Sequence, residues 1–136
     1  MKFAPPPRAL LDTSVFIATE TGRPLAFALL PEQGFISVVT LAELQVGVLA
    51  AVDVETRSRR LATLNSVAGF TALPVDTSAA TAWASMRVRL AETGRRVNVN
   101  DLWIAAVAVA RDLPVVTQDL DFEVLRSIGG PEIIVV

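Results

Sequence analysis

The sequence predicts an α/β fold: a parallel sheet of about five strands with helices on both faces. Two observations carry this. Short apolar, β-rich runs alternate with helical patterns from end to end, and the 136 residues suit a single domain able to bury a continuous core. A third observation concerns function. Acidic residues stand at the borders of the apolar runs, where open parallel sheets of this kind gather their ligands.

In chain order, a proline-rich lead-in over residues 1–8 gives way to Ala9–Leu11, a buried strand ending at Asp12. Thr13–Thr19 follows as a short helix that Asp12 can cap. Gly22 and Pro24 mark a turn, and the amphipathic Pro24–Leu30 a second short helix. Gly34–Val39 reads as the second strand, Leu41–Ala51 as a helix, and Val54–Val67 as a helix with its arginines outward. Phe70–Val75 is the third strand, and Thr77–Glu92 a long amphipathic helix stopped by Gly94. Asn100–Arg111 is a helix apolar on nearly all sides, and Pro114–Thr117 and Ile133–Val136 are the last strands. No internal repeat interrupts this order.

Composition removes whole classes of chemistry. The chain has no Cys and no His, so thiol nucleophiles, Ser-His-Asp triads, imidazole bases and ordinary zinc sites are excluded. Charged residues break every stretch approaching membrane-spanning length, and the N-terminus lacks the apolar segment of a secretory signal, so a cytoplasmic protein with no membrane attachment is expected. Chemistry must rest on carboxylates. There are 14 acidic residues, and Asp12, Glu43, Asp101 and Asp119 lie in LLDTSVFI, TLAEL, NVNDLWIAA and VVTQDLDF. Charges beside core segments are costly unless partnered, and clustered carboxylates either raise one another's pKa or share a hard divalent cation.

Each acid also has a structural reading. Asp12 suits a helix N-cap, and Asp101, after Asn98 and Asn100, suits a first helical turn. Thr40 and Glu43 fit a capping box, while Asp119 and Asp121 can furnish the turn before Phe122. The arginines divide in the same way. Arg57, Arg59 and Arg60, Arg87 and Arg89, and Arg95 and Arg96 either grip phosphates or form solvated helix faces.

Taken together and in order, LLDTSVFI, TLAEL, Asp101-Leu-Trp-Ile104-Ala105-Ala106 and Thr117-Gln-Asp119-Leu-Asp121-Phe122 resemble the PIN-domain ribonucleases, in particular the VapC-type toxins of bacterial toxin–antitoxin pairs, from Leu10 to Val136. The resemblance implies a single PIN-like domain over residues 1–136 that hydrolyses RNA phosphodiester bonds with Mg²⁺, for which Mn²⁺ would substitute. It makes Asp12 and Asp101 the principal metal ligands. Glu43 and Asp119 would complete a catalytic acid pocket, and Ser14, Thr117 and Asp121 would support it. It further implies a homodimer, a VapB-type antitoxin lying in an apolar groove near Pro24–Leu30 and Val54–Leu64, and an RNA substrate held by outlying cations, with Arg57, Arg59, Arg60, Arg95 and Arg96 as candidates. Trp83 and Trp103 read as core or interface residues.

Other designs fit less well. A phospho-receiver domain needs a Lys after its fifth strand, and the only lysine here is Lys2. Haloacid-dehalogenase phosphatases need an acid where Ser14 stands, and the nucleotide-binding glycine motifs are absent. The remaining alternative is a non-catalytic PIN-like module that binds RNA or protein.

Overall fold

The computed structural model describes residues 4–136; Met1, Lys2 and Phe3, the start of the proline-rich lead-in, lie outside the described residues. Strands β1 (Arg8–Leu11), β2 (Gln33–Ser37), β3 (Thr71–Leu73), β4 (Val115–Thr117) and β5 (Ile133–Val135) form one parallel sheet in the order β3-β2-β1-β4-β5. The helices are α1 (Thr13–Thr21), α2 (Val38–Leu49), α3 (Val54–Ser66), α4 (Thr77–Thr93) and α5 (Val99–Ala110), with 3-10 segments at Phe27–Leu29, Val67–Gly69 and Leu120–Ile128. The α/β sheet expected from the alternation of elements is borne out. No helix among the described residues is long and apolar enough to cross a membrane.

Side chains alternate across the pleat and build a core on each face. Ala9, Leu11, Ile36 and Val116 point into one core with Val15, Phe16 and Leu44. Leu10, Phe35, Val115 and Ile133 point into the other, against Met86 and Leu90 of α4 and the apolar wall of α5. That second core explains why α5 is apolar nearly all round: every residue from Ile104 to Ala108 is fully buried.

The chain lays β1, β2 and β3 outward in one direction, then returns to place β4 and β5 on the other side of β1. The reversal lies between β1 and β4, so a crevice opens beyond their carboxyl ends. Leu11 pairs with Val116, and the backbone N–H of Asp12 donates to Val116 O at 2.9 Å. Asp12 and the residues after Thr117 therefore begin as neighbours.

Several element ends depart from the sequence expectation. α2 starts at Val38, earlier than the expected Leu41, because Ser37 closes β2 and caps the helix, its hydroxyl accepting from Val39 N at 3.0 Å. The Pro24–Leu30 helix shrinks to a single 3-10 turn, Phe27–Leu29, in a segment bounded by Pro24 and Pro31. α1 runs on to Thr21, where Gly22 at φ +74° takes the left-handed conformation that ends the helix. α3 and α4 have aspartate caps, Asp53 accepting from Thr56 N and Asp76 from Ala79 N.

Candidate active site

Asp12 is both a helix cap and a member of the crevice. Its side chain caps α1 through Ser14 N at 3.3 Å and accepts the Thr117 hydroxyl at 2.9 Å, both on Oδ2. The direction of the remaining bonds follows. Thr117 gives its single proton to Asp12, so in the 3.1 Å contact between the two hydroxyls Ser14 is the donor. Ser14 Oγ in turn accepts Gln118 N, and Thr117 Oγ1 accepts Asp119 N, each at 2.9 Å. The result is a chain of polarised hydrogen bonds ending on one carboxylate. Burial pushes Asp12 above its ordinary value of 3.8, and the bonds from Ser14 and Thr117 pull the other way. Ser14 and Thr117 thus both bond to Asp12, and Thr117 also holds the backbone of Asp119.

Glu43 does not close the capping box that TLAEL suggested. With Ser37 as cap, Thr40 lies inside α2, fully buried, and Glu43 Oε1 instead accepts the Thr13 hydroxyl at 2.8 Å. Thr13 has then spent its proton, so Thr40 donates in their 2.9 Å contact. The carboxylate of α2 is thereby tied to the residue that follows Asp12. Thr13 and Thr40 were missed as site residues, although both lie within the quoted motifs. Gln118 was missed too: its amide donates to Pro24 O at 2.8 Å and Val136 O at 2.9 Å, strapping the end of β4 in place.

Asp101 is not the cap of its helix; Asn98 is, accepting from Asn100 N at 2.9 Å. Asp101 sits in the first turn with no hydrogen bond from the described residues, and its carboxyl is pushed up to about 7. Partial burial is the main cause, followed by the negative charges of Asp12, Asp119, Glu43 and Asp121 in that order. The acids predicted from sequence therefore converge electrostatically on Asp101. Asp119 bears on it more strongly than Asp121. Asp119 is also fixed, capping the Leu120–Ile128 segment by accepting Asp121 N at 2.9 Å, whereas Asp121 is exposed.

Convergence at electrostatic range is not coordination. Among the described residues no three acids stand close enough to share an ion as placed. The donor set nevertheless suits Mg²⁺, which takes oxygen ligands, commonly binds through one or two carboxylates and keeps several waters.

The arginine clusters separate clearly. In α3, Arg57 donates to Ala51 O at 2.9 Å, Arg60 to Gly47 O at 2.7 Å, and Arg59 lies 3.9 Å from Glu20, itself bound by Thr63. These side chains clamp α3 to the end of α2 and to α1. The side chains of Arg87, Arg95 and Arg96 make no hydrogen bond or ion pair among the described residues.

The family model for the PIN domain matches residues 9–127, which contain every acid named above. The chain belongs to the PIN-domain family. Among curated relatives, it is 60% identical over 129 residues to Ribonuclease VapC5 of Mycobacterium tuberculosis, covering 95% of this chain and 96% of that one. It is 43% identical over 123 residues to Ribonuclease VapC4 of the same organism, covering 89% and 93% respectively. Among solved PIN-fold structures, it matches the Mycobacterium tuberculosis VapBC-5 member of the VapBC toxin–antitoxin family with TM-score 0.90 and 56% identity, over 96% of this chain and 100% of that one. The DNA-bound VapBC of Salmonella typhimurium matches with TM-score 0.77 and 31% identity, over 94% and 97%. The resemblance first read from four short motifs is borne out over nearly the whole length.

Proposed function

We propose that this PIN domain is an endoribonuclease of the VapC type, the toxin of a toxin–antitoxin pair, and that it hydrolyses RNA phosphodiester bonds with Mg²⁺ or Mn²⁺. One observation carries the reading: Asp101, raised to about 7, faces the charges of four other acids at the crevice between β1 and β4. Keeping such a carboxyl without a hydrogen bond costs stability, and a divalent cation removes that cost.

Asp12 and Asp101 would hold the cation. When bound, it supplies Lewis-acid stabilisation for charge on the phosphate oxygens and for the ionised form of the attacking water. Asp12 is the rigid partner, its angle set by Thr117 and Ser14. Glu43, bonded by Thr13, and Asp119, which caps its own segment, would orient the water and accept its proton. Exposed apolar side chains at the end of α2 and the start of α3, Val46, Leu49, Val52 and Val54, offer a face for a VapB-type antitoxin. Homodimerisation and cytoplasmic action complete the reading.

The test is cleavage of total RNA by purified protein, with end mapping, in chelator and in Mg²⁺ or Mn²⁺. Cleavage only with metal, abolished in Asp12→Asn and Asp101→Asn, is the expected result. Undiminished cleavage in chelator would overturn the metal mechanism, and intact RNA in every condition would leave a binding module.

A further inference from the structure

A cleft of about 490 Å³ runs between the end of α4 and the start of α5, lined by Arg87, Arg95 and Arg96 together with Trp83, Val99 and Leu102. All three guanidinium groups are exposed, and none has a partner among the described residues. No carboxylate lines this cleft. The hollows along α3 differ: each that contains an arginine also contains Glu20, Glu43 or Glu55. In a chain of net charge −2, three arginines gathered in one cleft without a carboxylate form a local concentration of positive charge.

Its place in the fold gives that charge a purpose. Gly94, at φ +69°, ends α4 and turns the chain so that Arg95 and Arg96 lie in the same cleft as Arg87. Four residues later α5 begins, and Val99 and Leu102 of the cleft wall bracket Asp101 within a single helical turn. The basic cleft and the acid pocket thus share the first turn of α5. A polyanion approaching a pocket of crowded carboxylates needs such an anchor beside it. Trp83, stacked on Trp103 with ring centroids 4.8 Å apart, gives the cleft a rigid apolar wall.

We infer that Arg87, Arg95 and Arg96 form a phosphate-binding subsite that holds single-stranded RNA one or more nucleotides away from the scissile bond, and that the α3 arginines have no part in it. The inference rests on the acid pocket being the site where RNA is cut. Three guanidinium groups on one wall can each engage a separate backbone phosphate through paired N–H donors.

The experiment measures anisotropy of a short fluorescein-labelled single-stranded oligoribonucleotide against KCl concentration, in chelator so that nothing is cleaved. The triple variant R87Q/R95Q/R96Q should bind more weakly, and its salt slope should fall by about 2, since each phosphate contact contributes about 0.7. Lysine at the three positions should restore the slope. R57Q/R59Q/R60Q should melt earlier with the slope unchanged. An unchanged slope in R87Q/R95Q/R96Q, or a slope lost only in the α3 variant, would overturn the subsite. So would a change in sedimentation mass in the triple variant with RNA affinity intact, which would make the cleft a contact between copies. Wild-type RNA binding with this salt pattern but no cleavage in Mg²⁺ would defeat the nuclease reading and leave the subsite standing. If the wild type binds no RNA at all, both fall.

Discussion

Asp12 and Asp101 are two carboxylates of one pocket, held in opposite ways. Asp12 is buried, caps α1 and takes a threonine hydroxyl; Asp101 is half-buried, caps nothing and faces four negative charges. The first is a structural residue recruited to a site, its geometry enforced by bonds the fold needs anyway. The second is strained by burial and by its neighbours' charge, a strain the proposed cation would relieve. On the proposed reading, such a pocket would combine one fixed ligand with one that relaxes when charge is neutralised.

The comparison can be broken most directly by metal. At about a hundredfold over its dissociation constant, Mn²⁺ should stabilise the wild type by about 2.7 kcal/mol, and Asp101→Asn should lose most of that gain while matching or exceeding wild-type stability in chelator. Thermal denaturation with and without Mn²⁺ measures both. A full metal-induced shift in the variant would remove Asp101 from the site.

Side-chain shape should matter at one position and not at the other. Asparagine keeps an acceptor for Ser14 N and the Thr117 hydroxyl; alanine does not. Asp12→Ala should therefore be less stable than Asp12→Asn by about 2 kcal/mol in chelator, combining a lost cap with a buried hydroxyl left unpaired. At position 101, alanine and asparagine should denature at nearly the same urea concentration. Equal stability of the two Asp12 variants would contradict the hydrogen-bond chain.

The cap of α5 is Asn98, so Asn98→Ala should cost about 1 kcal/mol whether or not metal is present. A loss that vanishes in Mn²⁺ would mean that Asn98 acts through the pocket.

Protons give the subtlest test. The Asp101 carboxyl is raised from 3.8 to about 7, so between those values the folded chain binds a proton that the unfolded chain releases. Its contribution to stability is then favourable relative to neutral pH and is lost as pH rises through about 7. Asp12, also raised, acts in the same direction. In chelator, the stability advantage of Asp101→Asn over wild type should shrink as pH is lowered from 8 towards 5. Adding Mg²⁺ to the wild type near pH 6 should expel protons, detectable by calorimetry in buffers of different ionisation enthalpy. A pH-independent difference between the two proteins would show that Asp101 is not strained.

What the sequence made legible follows from range. The alternation of strands and helices, the placement of acids at the borders of apolar runs and the capping role of Asp12 are local, and each was readable; the strand order was not. Glu43 was ambiguous because TLAEL satisfies the capping-box pattern; only the position of Ser37, three residues upstream, decides which residue caps. Gln118 was invisible because its partners, Pro24 and Val136, lie far from it along the chain. The arginine groups looked alike as text. They differ because α3 lies against backbone carbonyls at the end of α2, whereas the α4–α5 connection lies against nothing acidic.

The bond from Thr117 to Asp12 joins residues 105 apart. A ribosome must therefore release everything from α1 to β4 before the two sides of this pocket can meet, since the strand that carries Thr117 is the fourth of the five. Until then the carboxylates of β1 and α2 stand without the α5 and β4 residues that crowd them. The acid pocket is thus completed only when β4 has emerged, long after Asp12 and Glu43.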